Sequence, residues 1–128
     1  MEKTINSDSV YINGTEYVPK SKSVELLNKE GKRCVLIRSY AAGVHFGFLE
    51  KEEFTQAGKV VTLIDSRRIW YWEGAASLSQ LAIEGVKNPD KCKFSVSVPK
   101  NEIVNIIETI DLSIESYNQL SQIKEWKV

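Results

Sequence analysis

The side chains best suited to chemistry are concentrated in one stretch of the sequence, from Arg38 to Trp72. This stretch contains seven of the chain's twelve aromatic residues and all three arginines that follow position 33. Arginine can hold phosphate oxygens through a pair of parallel hydrogen bonds. An indole ring offers a face on which a base stacks, which is worth about 1–3 kcal/mol per base. The stretch therefore predicts a binding site for a ligand that carries both a phosphate and an aromatic ring.

Alternation along the strand predicted at the end of this stretch sorts its side chains onto two faces. Residues two apart share a face of a strand, so Arg68, Trp70 and Trp72 form one row and Arg67 lies on the other face. The row combines a cation with two stacking surfaces. Because a one-residue change of register exchanges the faces, the sequence leaves open which of the two arginines faces the ligand.

The segment 74–77, Gly-Ala-Ala-Ser, joins this strand to a predicted helix. Ser77 followed by Gln80 has the form of a capping box. A helix start carries free N–H groups and a partial positive charge, so this segment could hold a phosphate together with Arg67 or Arg68. The competing interpretation is structural, since the same serine could simply cap its helix.

The ligand-binding residues predicted from these patterns are Arg38, Tyr40, His45, Arg67, Arg68, Trp70, Trp72, Gly74 and Ser77. Each also has a structural interpretation. Tryptophan in a small protein is most often a core residue, and arginine beside tryptophan is often a structural cation–π contact. A lone histidine is better explained as a neutral strand residue than as a base. For the cluster as a whole we predict a ligand or partner site.

The sequence lacks the residue patterns of the common enzyme classes. It has one histidine and two widely spaced cysteines, so zinc sites built from these residues are not expected. No phosphate-binding glycine loop or nucleophile elbow is present. Glu52 and Glu53 are expected in solvent, although a carboxylate pair assembled from distant positions stays open. We predict a non-enzymatic protein without catalytic residues, cofactor or metal, in which Cys34 and Cys92 are buried free thiols.

Composition narrows the classes of partner. The chain has 17 basic and 17 acidic side chains and a net charge of zero, whereas duplex-binding proteins usually carry a basic excess. Nucleic acid is therefore not expected as the main partner. Residues 1–8 lack the apolar core of a signal peptide, and no apolar run is long enough to span a membrane. These features predict a cytoplasmic protein without a membrane partner.

The pattern of apolar residues predicts an α+β fold. We expect a small twisted antiparallel sheet or partly open barrel, with one or two short helices and an N-terminal β-hairpin. Asn13-Gly14 between two β-rich runs indicates a two-residue hairpin turn. Residues 20–33 are predicted as a short helix, with a tether as the alternative. The predicted division is an N-terminal hairpin and linker, residues 1–32, and an α+β body, residues 33–128.

Within the body, β-rich segments predict a four-stranded meander. The predicted strands are 34–37, 44–49, 59–64 and 67–72, with a charged connection at 50–58 and a turn at Asp65-Ser66. The predicted later elements are a helix from Ser77 to Gly85, a half-buried strand at 94–98, a strand with a helix as its rival at 103–112, an amphipathic helix at 113–123 and a docked tail at Trp126.

Three segments of the body carry a family resemblance. They are 66–82, Ser-Arg-Arg-Ile-Trp-Tyr-Trp-Glu-Gly-Ala-Ala-Ser-Leu-Ser-Gln-Leu-Ala, together with 35–47, Val-Leu-Ile-Arg-Ser-Tyr-Ala-Ala-Gly-Val-His-Phe-Gly, and the tail 126–128. In these segments the chain resembles a family of small proteins that is widespread in bacteriophages and prophages and is described as a domain of unknown function. The resemblance covers roughly residues 33–128. The family has no assigned catalytic residues, so it implies none here.

A phage origin would favour a role against host defence. In size and residue chemistry the chain is similar, as a class, to phage sponges that sequester the cyclic oligonucleotide or cyclic ADP-ribose signals of CBASS and Thoeris systems. Our first hypothesis is such a sponge, acting in the host cytoplasm as a homo-oligomer with pockets between subunits and with the hairpin as a candidate for exchange between them. The alternatives are a module that inhibits a host defence protein, a single-strand nucleic-acid binder and an undetected hydrolase.

Overall fold

The computed structural model describes residues 10–12, 15–17 and 24–128. The strands are β1 (Val10–Ile12), β2 (Thr15–Tyr17), β3 (Asn28–Lys29), β4 (Lys32–Ser39), β5 (Gly43–Thr55), β6 (Gly58–Tyr71), β7 (Lys93–Phe94), β8 (Val98–Ile103) and β9 (Ile106–Asp111). The helices are α1 (Leu78–Glu84) and α2 (Ile114–Leu120), with a 3₁₀ turn at Pro89–Lys91.

The body strands form one curled antiparallel sheet, a half-barrel. Its main order is β9-β4-β5-β6-β8, with the short β3 beside β4 and the short β7 beside β6. The strands β1 and β2 pair separately at the N-terminus. The predicted fold class, a partly open antiparallel barrel with short helices and an N-terminal strand pair, is therefore confirmed.

Two apolar clusters cover the two faces of this sheet. The helix-side core packs both helices against one face, and its largest fully buried side chains are Phe46, Phe94, Leu36, Leu81, Leu112 and Leu120. The inner core contains Val35, Ile37, Val61, Leu63, Ile103 and Ile106. Because the end strands β8 and β9 both contribute to the inner core, it lies on the concave face. The predicted first strand is confirmed as buried on both faces, since residues 34–37 supply both clusters and are all fully buried.

The long hairpin of β5 and β6 corrects the prediction for residues 50–58. The sequence predicts a charged connection there. In the structure β5 continues to Thr55, and its end pairs with the start of β6 from Lys51 opposite Thr62 to Thr55 opposite Gly58. Residues 50–57 are exposed. Because this ribbon is in contact with water, its side chains are polar, and polarity alone did not distinguish it from a loop.

The predicted turn at Asp65-Ser66 is instead a β-bulge inside one continuous strand, β6. These two residues oppose the single residue Gly47 of β5. Asp65 has φ of 51°, a left-handed conformation that aspartate adopts more readily than most residues. The same preference makes Asp a turn signal, which explains the wrong prediction. Consequently the predicted four-stranded meander has three strands, β4, β5 and β6.

Residues 24–33 form neither the predicted helix nor a tether. The Leu27 N–H donates to the Leu112 carbonyl at 2.9 Å, and the Cys34 N–H donates to the Leu27 carbonyl at 3.0 Å. A tight turn at residues 30–31 then joins β3 to β4. The remainder of that predicted segment, residues 20–23, lies outside the described residues. The division of the chain at residue 32 stays a prediction.

The C-terminal elements follow the predicted types with different bounds. The strand predicted at 94–98 is regular only in β7, and residues 95–97 are irregular. The segment 103–112 is extended and not helical, with Asn105 at φ of 55° separating β8 from β9. The amphipathic helix is confirmed as α2. The docked tail is also confirmed, because the Trp126 N–H donates to the Phe94 carbonyl at 2.8 Å.

The N-terminal strand pair has Val10 opposite Tyr17 and Ile12 opposite Thr15. The prediction of two antiparallel strands is confirmed. The turn type predicted for Asn13-Gly14 lies outside the described residues, and exchange of the hairpin between subunits stays a prediction.

We expect Gly47→Ala to lower the free energy of unfolding by about 1–3 kcal/mol, the usual effect of overpacking. A Cβ at position 47 would lie 2.9 Å from the carbonyl oxygen of Ile64 and 3.1 Å from the Cα of Ser66. Urea unfolding measures the change. Gly43→Ala is the control. Gly43 has φ of 81°, and an added Cβ would meet no atom within 4 Å, so a loss of stability in this variant reflects backbone strain without a steric clash. Unchanged stability in Gly47→Ala would contradict the tight contact at the bulge.

Candidate ligand-binding site

The side chain of Arg67 is a structural element and does not face solvent. It is 6% exposed, its Nε donates to the Ser95 carbonyl at 2.8 Å and one terminal nitrogen donates to the Leu120 carbonyl at 3.1 Å. Its guanidinium carbon lies 5.4 Å from the ring centroid of Phe94. Burial lowers its pKa, although an arginine stays charged. The register leaves Arg67 no access to an external ligand.

The predicted row of Arg68, Trp70 and Trp72 ends after Trp70. The pairing of β6 with β7 shifts between Ile69 and Tyr71, so one extra residue enters the strand and reverses the alternation beyond it. Trp72 packs against the helix-side core, and its indole N–H donates to the carbonyl of Ala75 at 3.3 Å. It therefore does not lie beside Trp70.

The predicted phosphate site at residues 74–77 is closed by local contacts. A Cβ at Gly74, which has φ of 93°, would clash with the backbone of Lys87, so no space for a ligand exists on that side. The Ser77 hydroxyl accepts from the Gln80 N–H at 3.1 Å, and the Gln80 side chain accepts from the Ala76 N–H at 2.8 Å. These bonds occupy N–H groups that a phosphate would need.

Arg38 and Tyr40 lie apart from Arg68. Arg38 pairs across the strands with Val44, which packs on the helix-side core, and its Nε donates to a carboxylate oxygen of Glu108 at 3.0 Å. Tyr40 lies in the turn before β5 and is 84% exposed. The structure therefore does not bring these two predicted residues into the group around Arg68.

Arg68 and His45 do come together. They are paired neighbours on β6 and β5, and His45 is also paired with Ile37 of the inner core, so both residues belong to the concave face. Here the half-barrel opens into a hollow of about 250 Å³. The residues that line it are His45, Ser66, Arg68, Ser95, Val96, Val98 and Asn101. The concave face therefore has an apolar end, formed by the inner core, and a more polar end, formed by the hollow.

Sequence reasoning did not predict that Ser66, Ser95 and Asn101 line the hollow. The Ser95 hydroxyl accepts from the backbone N–H of Arg68 at 2.8 Å, and the Ser95 N–H donates to the Arg68 carbonyl at 2.9 Å. The Asn101 amide donates to the Ser66 hydroxyl at 3.4 Å. These bonds position the main chain of Arg68 and the floor of the hollow. Single polar residues in a strand pattern carry no signal that would have identified them.

The geometry of His45 determines its tautomer. Its Nε2 lies 2.9 Å from the carbonyl oxygen of Ala42, and a carbonyl can only accept, so Nε2 carries the hydrogen and Nδ1 is an acceptor. His45 is 1% exposed, and Nδ1 has no hydrogen-bond partner among the described residues. Burial lowers the pKa of His45, and the nearby charge of Arg68 lowers it further against the opposing effect of Ala42. The imidazole is therefore neutral at pH 7.

An aromatic patch adjoins the hollow and consists of Trp70, Tyr71 and Trp126. Their side chains are 62%, 44% and 53% exposed. The indoles of Trp70 and Trp126 stack with ring centroids 6.2 Å apart and an angle of 16° between planes. The Lys93 ammonium lies 5.3 Å from the centroid of Trp126. The tail prediction thus located a residue of the surface, although not its contact with Trp70.

A second hollow, of about 520 Å³, lies between the 3₁₀ turn and the tail. Its charged lining is mixed in sign, with Asp90 and Glu125 beside Lys124 and Lys127, so it has no clear preference for an anion. Cys92 lies at its edge. Both cysteines are free and buried, as predicted, and burial raises the pKa of Cys34 to about 12.

Among residues 10–12, 15–17 and 24–128, no group of three or more His, Cys, Asp or Glu side chains could hold a metal ion. In the same part of the chain, no helix is long and apolar enough to cross a membrane.

The fold and site define a class of small, curled antiparallel half-barrels whose polar end opens beside an aromatic patch. Within that class the chain belongs to a family described as a domain of unknown function (DUF6948), whose model matches residues 32–120. The match includes His45, Arg68 and Trp70 and ends before Trp126. No curated protein and no solved structure matches the chain.

We expect the two adjacent arginines to differ sharply in their effect on stability. Arg67→Ala removes the donor from one buried and one partly buried carbonyl and opens a cavity, so it should lower the free energy of unfolding by about 2–4 kcal/mol. Arg68→Ala removes an exposed side chain and should change it by less than about 0.5 kcal/mol. Parallel urea titrations of the two variants make the comparison. Equal losses would contradict the assigned register.

Stability should fall when the protein is acidified below the usual histidine pKa of 6.5. Because His45 has a lowered pKa when folded, the unfolded chain binds more protons just below pH 6.5. Stability is then complete above that pH and declines towards the folded-state pKa, by at most about 1.4 kcal/mol per pH unit. Thermal unfolding between pH 7.5 and 5.5 measures the decline, which His45→Asn should reduce. The same slope in both proteins would contradict a neutral buried His45.

Proposed function

We propose that this protein is a non-catalytic binding protein that holds a nucleotide-type ligand at the hollow and the adjoining aromatic patch. The observation that carries the proposal is the state of Arg68. It is exposed, it lines the hollow, and its guanidinium has no hydrogen bond or ion pair within residues 24–128. A cationic fork without a partner is suited to a phosphate.

The other three arginines each form an ion pair or hydrogen bonds within the protein, which distinguishes them from Arg68. Arg33 forms an ion pair with Asp111 at 2.8 Å, Arg38 forms one with Glu108 at 3.0 Å, and Arg67 is buried on carbonyls. Since net charge is zero, long-range attraction of polyanions is weak, and a local cation has to supply the anion contact. This favours a small anionic ligand over a long nucleic acid.

Trp70 supplies the second half of the proposed recognition. It lies two residues after Arg68 and is the most exposed of the three tryptophans that the structure describes. Its stacking partner Trp126 holds its orientation, so a base could stack without first ordering the indole. A phosphate on Arg68 with a base on Trp70 accounts for both features with one ligand.

The resemblance to phage proteins supports a more specific form of this function. In that form the protein is phage-encoded and sequesters a cyclic oligonucleotide or a cyclic ADP-ribose derivative that signals host immunity. It acts in the host cytoplasm as a homo-oligomer, in which a second copy closes the open side of the hollow. A sponge needs no catalytic group, and a neutral His45 bonded to Ala42 is consistent with binding alone.

A second candidate function is inhibition of a host defence protein through the aromatic patch. Trp70, Tyr71 and Trp126 together expose three aromatic side chains, and Val96, which lines the hollow, is 38% exposed. Tryptophan, tyrosine and arginine dominate interface hot spots. This candidate predicts a protein partner and no nucleotide binding.

A thermal-shift and calorimetric screen tests the proposal. The probes are cyclic di- and trinucleotides, cyclic ADP-ribose isomers, AMP, GMP and a short single-stranded oligonucleotide. A ligand at a hundred times its dissociation constant should add about 2.7 kcal/mol to stability. We expect Arg68→Ala and Trp70→Ala each to weaken binding by about tenfold or more.

Two variants serve as matched controls. Arg33→Ala removes an arginine that is paired with Asp111, and Phe54→Ala removes an aromatic residue that is 83% exposed at the far end of the hairpin. Both should bind within about twofold of the unmodified protein. Absence of binding by every nucleotide in a folded sample would refute the proposal and favour a protein partner. Binding of the oligonucleotide alone, with a steep salt dependence, would favour a single-strand binder.

A further inference from the structure

His45, which lines the hollow, has a buried hydrogen-bond acceptor that no described residue pairs with. His45 donates through Nε2 to Ala42, which leaves Nδ1 as a neutral acceptor without a partner among the described residues. Buried polar groups are nearly always paired, and leaving one unpaired destabilises the fold. Arg67 and Thr109 also have an unpaired buried polar atom, but of these three residues only His45 lines the hollow, where a ligand can supply the missing partner.

The other polar groups of the hollow do not supply that partner. The Ser95 hydroxyl donates to the Val96 carbonyl at 2.9 Å, and the Asn101 amide donates to Ser66 at 3.4 Å. Arg68 faces the same hollow as a cation without a partner in the described chain. The hollow therefore presents one unused acceptor beside one unused cationic donor, and a ligand that satisfies both needs a donor next to an acceptor or anion.

We propose that the hollow takes the part of the ligand that presents a neutral hydrogen-bond donor, a hydroxyl or an N–H, to Nδ1 of His45, beside the anionic or acceptor group held by Arg68. This inference rests on the proposed function and narrows it. A fully ionised phosphate alone would not suffice, since its oxygens only accept. In a nucleotide the donor has two sources, which are a ribose hydroxyl and a base N–H.

The size of the hollow agrees with partial entry of the ligand. Complete small-molecule pockets measure about 300–1,000 Å³, and this hollow measures about 250 Å³, so it holds one moiety while the remainder lies on the surface towards Trp70. Nδ1 is closed to water in the free protein. The exposed Arg68 side chain is its cross-strand neighbour and has no hydrogen bond or ion pair in the described chain. The proposal therefore requires Arg68 to rearrange onto the ligand so that the ligand reaches Nδ1.

Analogues that each lack one donor test the inference by calorimetry. AMP and GMP are compared with their 2′-deoxy and 3′-deoxy forms and with purine riboside 5′-monophosphate, whose base has no N–H. Cyclic dinucleotides of adenine and guanine are compared with their 2′-deoxy forms. We expect removal of one donor, the hydroxyl or the base N–H, to weaken binding by about tenfold. The analogue that loses affinity identifies the source.

His45→Phe removes the acceptor and should abolish this discrimination, so that parent nucleotide and analogue bind equally. A second measurement needs no variant. The chain has one histidine, so a long-range ¹H–¹⁵N spectrum of the unmodified protein contains one imidazole. We expect the Nε2–H tautomer in the free protein, and a change of the Nδ1 resonance towards that of a hydrogen-bonded nitrogen on addition of the nucleotide.

The outcomes separate this inference from the function on which it rests. If nucleotides bind and Arg68→Ala weakens them, but every analogue binds within about twofold and Nδ1 does not respond, the inference is overturned and the proposed function stands. A protonated Nδ1 in the free protein would also overturn it. If no nucleotide binds, both are overturned.

Discussion

One extra residue in β6 determines which side chains this fold hides and which it presents. Opposite Gly47 the strand carries Asp65 and Ser66, and beyond this bulge Arg67 faces the helix-side core while Arg68 faces the hollow. Without the extra residue the alternation would be reversed, and Arg68 would enter the core. The bulge in turn needs a residue without a side chain at position 47 and a left-handed residue at position 65.

The two arginines show how much environment outweighs sequence position. Arg67 is desolvated, and its charge is acceptable only because two carbonyls and the face of Phe94 replace part of its hydration. These contacts tie β6 to the segment after β7 and to the end of α2. Arg68, one residue away, has its backbone fixed by Ser95, while its guanidinium has no hydrogen bond or ion pair with any residue that the structure describes. A hydrogen-bonded backbone that positions a side chain without a hydrogen-bond partner is suited to a binding site.

Predictability differed between the elements for identifiable reasons. The buried strand at Cys34 and the helix start at Ser77 were predicted well, because a β-branched run and a capping residue are local signals. The bulges were not, since they depend on which residue a partner strand places opposite. The same limit applies to the site. The aromatic and arginine content pointed to β6, which carries Arg68 and Trp70 of the proposed site. Register shifts turn Trp72 and Arg67 inward, and Asn101 is brought to the hollow from β8 only by tertiary pairing.

The distribution of polarity along the barrel interior supports the proposal that the hollow binds a ligand. Val61, Leu63 and Ile103 fill one end of the concave face and exclude water there. At the other end, His45 contributes an acceptor and Arg68 a charge, with no complementary group among the described residues. A core built for stability alone would place apolar side chains at that end too, because an unpaired buried acceptor lowers stability. A bound ligand that pairs with this acceptor would compensate for the loss of stability. The adjoining exposed indoles supply a surface on which the rest of such a ligand can stack.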